Sequence, residues 1–222
     1  MSILHKTLGI MVLVAALVLN CNGGKTAKGG GLGAVLGGTV GAIAGRQAGN
    51  TAAGAIIGAV VGGAAGAAIG NYMDNQADEL DEELEKAEVE RVGEGIKVTF
   101  DSDVLFDKGS ADLDQEAKDN LEEMAEVMQK YEDTNILIVG HTDSTGTKED
   151  QKEISEQRAE AVSDYLKLQG ISGVRISTVG MGAADPVATN ATPEGRQKNR
   201  RVEIAIFADE ELKERAEEGQ IN

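Results

Sequence analysis

From residue 95 onward, apolar and polar positions fall into short regular blocks. Ile96-Lys97-Val98-Thr99-Phe100 alternates with period two and predicts a strand. Leu113, Ala117, Leu121, Met124 and Met128 recur at helical spacing and predict a helix to about Tyr131. The apolar run Asn135–Gly140 reads as a buried strand. A second helix, Glu149 to Leu168, carries Ile154, Ala161, Val162, Tyr165 and Leu168 on one side and stops at Gly170. Val174–Gly180 and Arg201–Phe207 predict two more strands, the last reached through a polar loop that holds both prolines. Strand–helix–strand–helix–strand with a final strand is an α/β two-layer sandwich with a mixed sheet. Its roughly 110 residues suffice to bury a core.

Ahead of residue 95 the pattern changes. Asp74 to Arg91 is rich in strong helix formers, with a thin apolar stripe of Leu80, Leu84 and Ala87. It predicts an acidic helical linker over 73–95, ended by Gly93 and Gly95. Before it stands a ladder of glycines four apart: Gly29, Gly33, Gly37, Gly41, Gly45 and Gly49, resuming after one extra residue at Gly54, Gly58, Gly62, Gly66 and Gly70. That spacing puts glycine along one ridge of a helix, where two backbones approach closely in lipid. From Gln47 to Gly70 there is no charge, enough length for one membrane-spanning helix. The same composition also suits a flexible spacer, and both readings stand for 29–72. At the very start, Leu8 to Leu19 is an apolar run behind Lys6, the pattern of a secretory signal over residues 1–20.

Charge sharpens this division. The chain has 222 residues and a formal charge of −17, yet the first 73 residues hold four bases and no acid. A membrane-associated front and a solvated back fit that asymmetry. An acidic chain with 3% aromatic residues does not bind nucleic acid, which needs basic and stacking surfaces. One cysteine and two histidines exclude a disulfide framework and thiolate clusters and leave almost nothing for a His-built metal centre. No metal and no cofactor is expected.

Two places break the local pattern, and such breaks mark function. The loop Gly140-His141-Thr142-Asp143-Ser144-Thr145-Gly146 follows the second strand, at the end where α/β folds bind ligands. Arg158 falls on the helix stripe that should be apolar, where a guanidinium needs an anionic partner of matching fork geometry. Asp143 and Arg158 together offer an acceptor for an ammonium group and a donor pair for a carboxylate, as in the end of an amino acid. The alternatives are that they pair with each other or that Asp143 only organises its turn. His141 alone reads as a structural histidine, and Asn199-Arg200-Arg201 as a solvated start to a strand.

GHTDSTG at 140–146, ISEQRAEAV at 154–162, GMGAADP at 180–186 and NATPEGRQKNRRVEI at 190–204, in this order, resemble the OmpA-like C-terminal domain family, which includes peptidoglycan-associated lipoproteins and the wall-binding part of flagellar stators. The resemblance implies the OmpA-like sandwich over 96–209, followed by an acidic tail at 210–222. It implies non-covalent binding of peptidoglycan through diaminopimelate of the stem peptide, whose amine and carboxylate meet Asp143 and Arg158. By the same resemblance the Phe106–Gly109 loop, with Asp107 and Gly109, supplies backbone donors, and His141, Thr142 and Arg200 shape the site. Gln151 stands where the family usually has Asn, with longer reach.

Val18-Leu19-Asn20-Cys21 resembles a bacterial lipoprotein signal, which implies that Cys21 is acylated and that 21–28 is a tether. The glycine ladder resembles the glycine-zipper segments of some envelope lipoproteins, a route to self-association through Gly29–Gly70. Asn22 after the cysteine, rather than Asp, points to outer-membrane delivery, with the domain facing the periplasm. The expected protein is a lipid-anchored tether between membrane lipid and wall. The rival is an oligomerising or pore-forming protein that uses the wall domain only as an anchor. A stator motor would need an acid within its membrane helix, and residues 1–73 hold none; a hydrolase would need a nucleophile–base pair or two active carboxylates in a cleft, and His141 stands without a partner Cys or Ser motif.

Overall fold

The computed structural model describes residues 51–59, 61, 63–107 and 109–221. The signal segment 1–20, Cys21, the tether 21–28, the glycines from Gly29 to Gly49 and Lys108 lie outside the described residues.

Five strands form one sheet: β1 (Ala87–Val92), β2 (Gly95–Asp101), β3 (Thr134–Gly140), β4 (Ile176–Gly180) and β5 (Arg201–Ala208), in the order β1-β2-β5-β3-β4. β3 and β4 run parallel and every other pair antiparallel, so the sheet is mixed, and the α/β sandwich holds. The helices are α1 (Thr51–Ile57), α2 (Gly63–Glu83), α3 (Ser102–Leu105), α4 (Gln115–Lys130), α5 (Lys148–Leu168), α6 (Pro193–Asn199) and α7 (Glu210–Glu217). Side-chain caps start several of them: Asp114 accepts from the Ala117 amide, Asp209 from Leu212, and Thr147 and Asp150 form a capping box.

Strand parity splits the sheet into two faces. Ile136, Ile138, Val202, Ile204 and Ile206 enter the main core, closed by α2, α4, α5 and α7. Leu137, Val139, Ala205 and Phe207 point the other way, where Ala52, Ala55 and Ile56 of α1 cover them. Both faces of β3 and β5 are therefore buried, which explains their nearly unbroken apolar runs.

Four expectations change. The acidic helix ends at Glu83, and Ala87–Val92 instead pairs with β2 through a turn where Gly93 has φ +58°. Ala-Glu-Val-Glu-Arg-Val alternates, so pairing half-buries Ala87 and Val89 against the core; helix propensity is weaker than that packing. The helix is no spacer either, because Ile69, Met73, Ala77 and Leu80 are buried. The uncharged stretch to Gly70 is not one helix in its described part: α1 stops at Ile57, and α2 starts at Gly63 with φ +70°. Among the described residues no helix is long and apolar enough to cross a membrane. A Cβ on Gly66 would lie 2.2 Å from a Glu94 carboxylate oxygen, so that glycine admits the β1–β2 turn. Residues expected as an acidic tail form α7, with Leu212 and Ala216 buried.

The fourth change concerns α5. Its buried side is Gln151, Ser155, Arg158, Ala159, Val162, Ser163 and Leu166, while Leu168 is 78% exposed. The helix lies so close to the strand ends that a Cβ on Gly140 would sit 2.1 Å from the Ser155 carbonyl oxygen. Small residues, rather than large apolar ones, define this contact, and Arg158 remains on it.

Candidate ligand-binding cleft

β2, β3 and β4 all end at the same edge of the sandwich, where antiparallel β5 begins. Between the segments leaving these ends is a cleft of about 930 Å³. α3 contributes Asp103, and the loop after it Phe106, Asp107 and Gly109, the last at φ +78°. The loop after β3 contributes Thr142, Asp143 and Thr145; the first turns of α5 contribute Gln151 and Arg158; α6 and its end contribute Glu194, Arg196 and Arg200.

Arg158 is only 5% exposed. Its Nε donates to the Ser110 carbonyl at 3.0 Å, and its guanidinium carbon lies 5.1 Å from the Phe106 ring centroid, a cation–π distance. Burial pulls its pKa down, partly offset by Asp103 and Asp143. Its two terminal nitrogens make no hydrogen bond among the described residues, and the side chain lines the cleft.

Asp143 does not pair with Arg158. Its Oδ1 accepts from the Thr145 amide at 2.8 Å and its Oδ2 from Arg200 Nη1 at 3.0 Å. Burial alone would raise its pKa, but the bonds from Thr145 and Arg200 outweigh that and hold the carboxyl below its ordinary value. Arg200 in turn reaches Asp103 with Nη2 at 3.0 Å and Nε at 3.4 Å. The bonds it donates to Asp103 and Asp143 raise its pKa against the opposing effect of burial. Arg200 is therefore held between two acids, and Arg158 is left with an open fork.

The other expected residues divide. Asp107 and Gly109 are exposed at the rim, and Thr142 lines the wall with a buried Oγ1 that has no hydrogen-bond partner among the described residues. Gln151 lines the cleft, but its Nε2 is committed to the Thr145 and Gly146 carbonyls at 3.3 and 3.2 Å, fastening the loop. His141 is not part of the lining. It continues the parity of Leu137 and Val139 toward the second sheet face and is 1% exposed behind the loop. There its Nε2 lies 3.7 Å from Glu203 Oε2, while Arg201 Nε donates to Glu203 Oε1 at 2.7 Å. Burial lowers the His141 pKa, keeping the ring neutral at pH 7. Asp103, Glu194 and Arg196 were not anticipated. The only signal was charge at the start of α3 and in α6, and charge there is indistinguishable from a solvated surface without the fold.

These features define an α/β sandwich with a cleft at the carboxyl ends of its strands that holds both the open fork of Arg158 and the carboxylate of Asp143. Comparison with known proteins gives the family. Residues 105–200 match the OmpA family, and residues 26–77 match a glycine-zipper family. The chain is 40% identical over 118 residues to "Probable lipoprotein YiaD" of Escherichia coli, covering 53% of this chain and 54% of that protein. It is 42% identical over 103 residues to "Peptidoglycan-binding protein ArfA" of Mycobacterium tuberculosis, covering 46% of this chain and 32% of that one. The chain thus spans about half or less of the length of these relatives. The solved cell wall anchor of the T6SS from Pseudomonas aeruginosa superposes with a TM-score of 0.53 at 33% identity, covering 62% of this chain and 97% of that one. The protein carries an OmpA-family domain behind a glycine-zipper segment.

Proposed function

We propose that this protein holds peptidoglycan non-covalently, by the free amino-acid end of diaminopimelate in the stem peptide. The observation that carries the reading is the open fork of Arg158, buried and fixed by Ser110 and Phe106, in the cleft that also holds Asp143. A fixed guanidinium binds a carboxylate through two parallel bonds, and little entropy is lost because the side chain is already ordered. Asp143, ionised by its surroundings, faces the ligand's ammonium group together with Asp103. Arg200 keeps these two acids from repelling each other. The names of the ArfA relative and of the cell wall anchor support a wall ligand.

In this reading Cys21 carries the acyl chains and the protein ties the outer membrane to the wall from the periplasmic side. The relative named as a probable lipoprotein supports the acylation. A single cleft of this kind binds weakly; many copies facing a repeating polymer strengthen it without new contacts. The test is co-sedimentation with purified sacculi, with and without free diaminopimelate. The unaltered chain should pellet and be released by diaminopimelate, whereas Asp143→Ala and Arg158→Ala should stay in the supernatant while folded. Undiminished pelleting of the Arg158→Ala protein would refute the site.

A further inference from the structure

The loop that carries Asp143, fastened by Gln151 at Thr145 and Gly146, is held at Ser144 by a second side chain. The Ser144 amide donates to Asn190 Oδ1 at 3.2 Å. The same oxygen accepts from Asn199 Nδ2 at 2.9 Å, and the Asn190 carbonyl accepts from Arg196 Nη1 at 3.0 Å. Asn199 is fully buried. Its Oδ1 accepts from the Val187 and Ala188 amides, both at 2.9 Å, and its Nδ2 also donates to the Ala188 carbonyl at 2.8 Å. Two donors and two acceptor positions are all used, which is the full capacity of a carboxamide. The backbone amides also settle which atom is oxygen in each side chain, since an NH₂ group cannot receive them.

We infer that Asn190 and Asn199 are positioning residues for the ligand cleft, an inference that rests on the reading of that cleft given above. Asn199 locks the segment 187–190 into one shape, and that shape delivers the Asn190 oxygen to the Ser144 amide. Ser144 follows Asp143 directly, and Asp143 Oδ1 is bound to the next amide, that of Thr145. Holding Ser144 therefore holds the turn that aims the carboxylate at Arg200 and the cleft. Without the Asn190 oxygen, the 143–145 turn keeps its bonds from Gln151 and Arg200 but loses its hold at Ser144, and the aim of Asp143 loosens. Neither asparagine lines the cleft.

The test uses the full chain with three substitutions. Asn190→Leu removes the acceptor, and Asn190→Asp keeps it. Asn199→Asp keeps the acceptor toward Val187 and Ala188, loses both donors, and sets a negative charge against Asn190 Oδ1. Two quantities are read: hydrogen exchange of the Ser144 amide, and affinity for free diaminopimelate by titration calorimetry. Loss of one hydrogen bond predicts about five- to tenfold weaker binding and faster Ser144 exchange by a similar factor for Asn190→Leu. Asn199→Asp should match it, and Asn190→Asp should stay within about twofold of the unaltered chain on both readouts. Rescue by aspartate separates positioning from bulk packing. Unchanged Ser144 exchange in Asn190→Leu, or an Asn190→Asp protein as weak as the leucine variant, overturns the inference. If the unaltered chain does not bind diaminopimelate, the reading of the cleft fails, and Ser144 exchange still decides whether Asn190 holds the loop. If Asn199→Asp does not fold, the Asn190 pair decides alone.

Discussion

The two ends of the sheet each take up an arginine, half-buried at Arg175 and buried at Arg158, and they use it in opposite ways. Arg175 precedes β4 at the end away from the cleft. Its Nε donates to the Thr134 carbonyl at 2.7 Å, Nη1 to Met128 at 3.1 Å, and Nη2 to Tyr131 at 2.8 Å and to Thr134 Oγ1 at 3.0 Å. It thereby ties the C-terminal turn of α4, whose last carbonyls have no helical partner, to the start of β3. Arg158 at the cleft end has one such bond, through Nε, and its remaining donors face open space. Burial pulls both guanidiniums below their ordinary pKa. Titration therefore does not tell them apart. The number of terminal nitrogens left unbonded among the described residues does: both at Arg158, neither at Arg175.

The largest effect expected from breaking this contrast is on Arg175. Arg175→Ala removes a donor from three carbonyls, of which that of Tyr131 keeps a bond from Thr134 Oγ1, and should cost about 3 kcal/mol in urea unfolding. The folded fraction should still pellet with sacculi. Arg158→Ala reverses the pattern. Its affinity for free diaminopimelate should fall about 100-fold, since a paired charge-assisted contact is lost, while urea unfolding shifts by about 1 kcal/mol or less. A large stability loss at Arg158 would mean that it is structural like Arg175. Arg158→Lys should fall between, about tenfold weaker in the same titration, because a point charge lacks the fork.

The mildest effect should come with pH, through the buried cluster behind the loop. Glu203 is opposed by burial but held ionised by His141 and Arg201, which bring its pKa down to about 2. Arg201, bonded at 2.7 Å, is the permanent charge of the pair. A carboxyl lowered on folding contributes stability above its unfolded value of 4.5, lost as pH falls toward 2. His141, lowered by burial, acts in the same sense from 6.5 downward, because the unfolded chain takes up its proton first. Stability followed by thermal unfolding should decline steadily on acidification from pH 7. Wall binding in the folded protein should persist at pH 5, since the Asp143 carboxyl is held below its ordinary value. Stability that rises on acidification would contradict the cluster as described.

Arg158 was legible in the sequence because a charge interrupts an apolar helical stripe, and Asp143 because glycines bracket its loop. The stripe itself was misread. Ser155 makes the close contact with the strand ends and Ala159 is buried beside it in the helix, and small residues carry no hydropathy signal, whereas Leu168 has a strong one and is exposed. His141 was legible as a loop residue but not as one that faces away from the cleft; that depends on strand parity carried one residue past β3. β1 was hidden because a glutamate-rich segment favours helix locally and becomes a strand only when β2 is beside it.

The sequence by itself determined the elements whose signals are local: four of the five strands, the two long helices against the sheet, and the loop and helix on which the two charges ride. Only the tertiary structure decided which charges neutralise each other. Arg200 lies 57 residues from Asp143 and 97 from Asp103, yet it takes both, and this leaves Arg158 open. Periodicity reports which face of an element is buried, since that depends on neighbours a few residues away. Ion pairing depends on distances of a few ångströms between segments far apart in the chain, and those are set only when the sheet assembles.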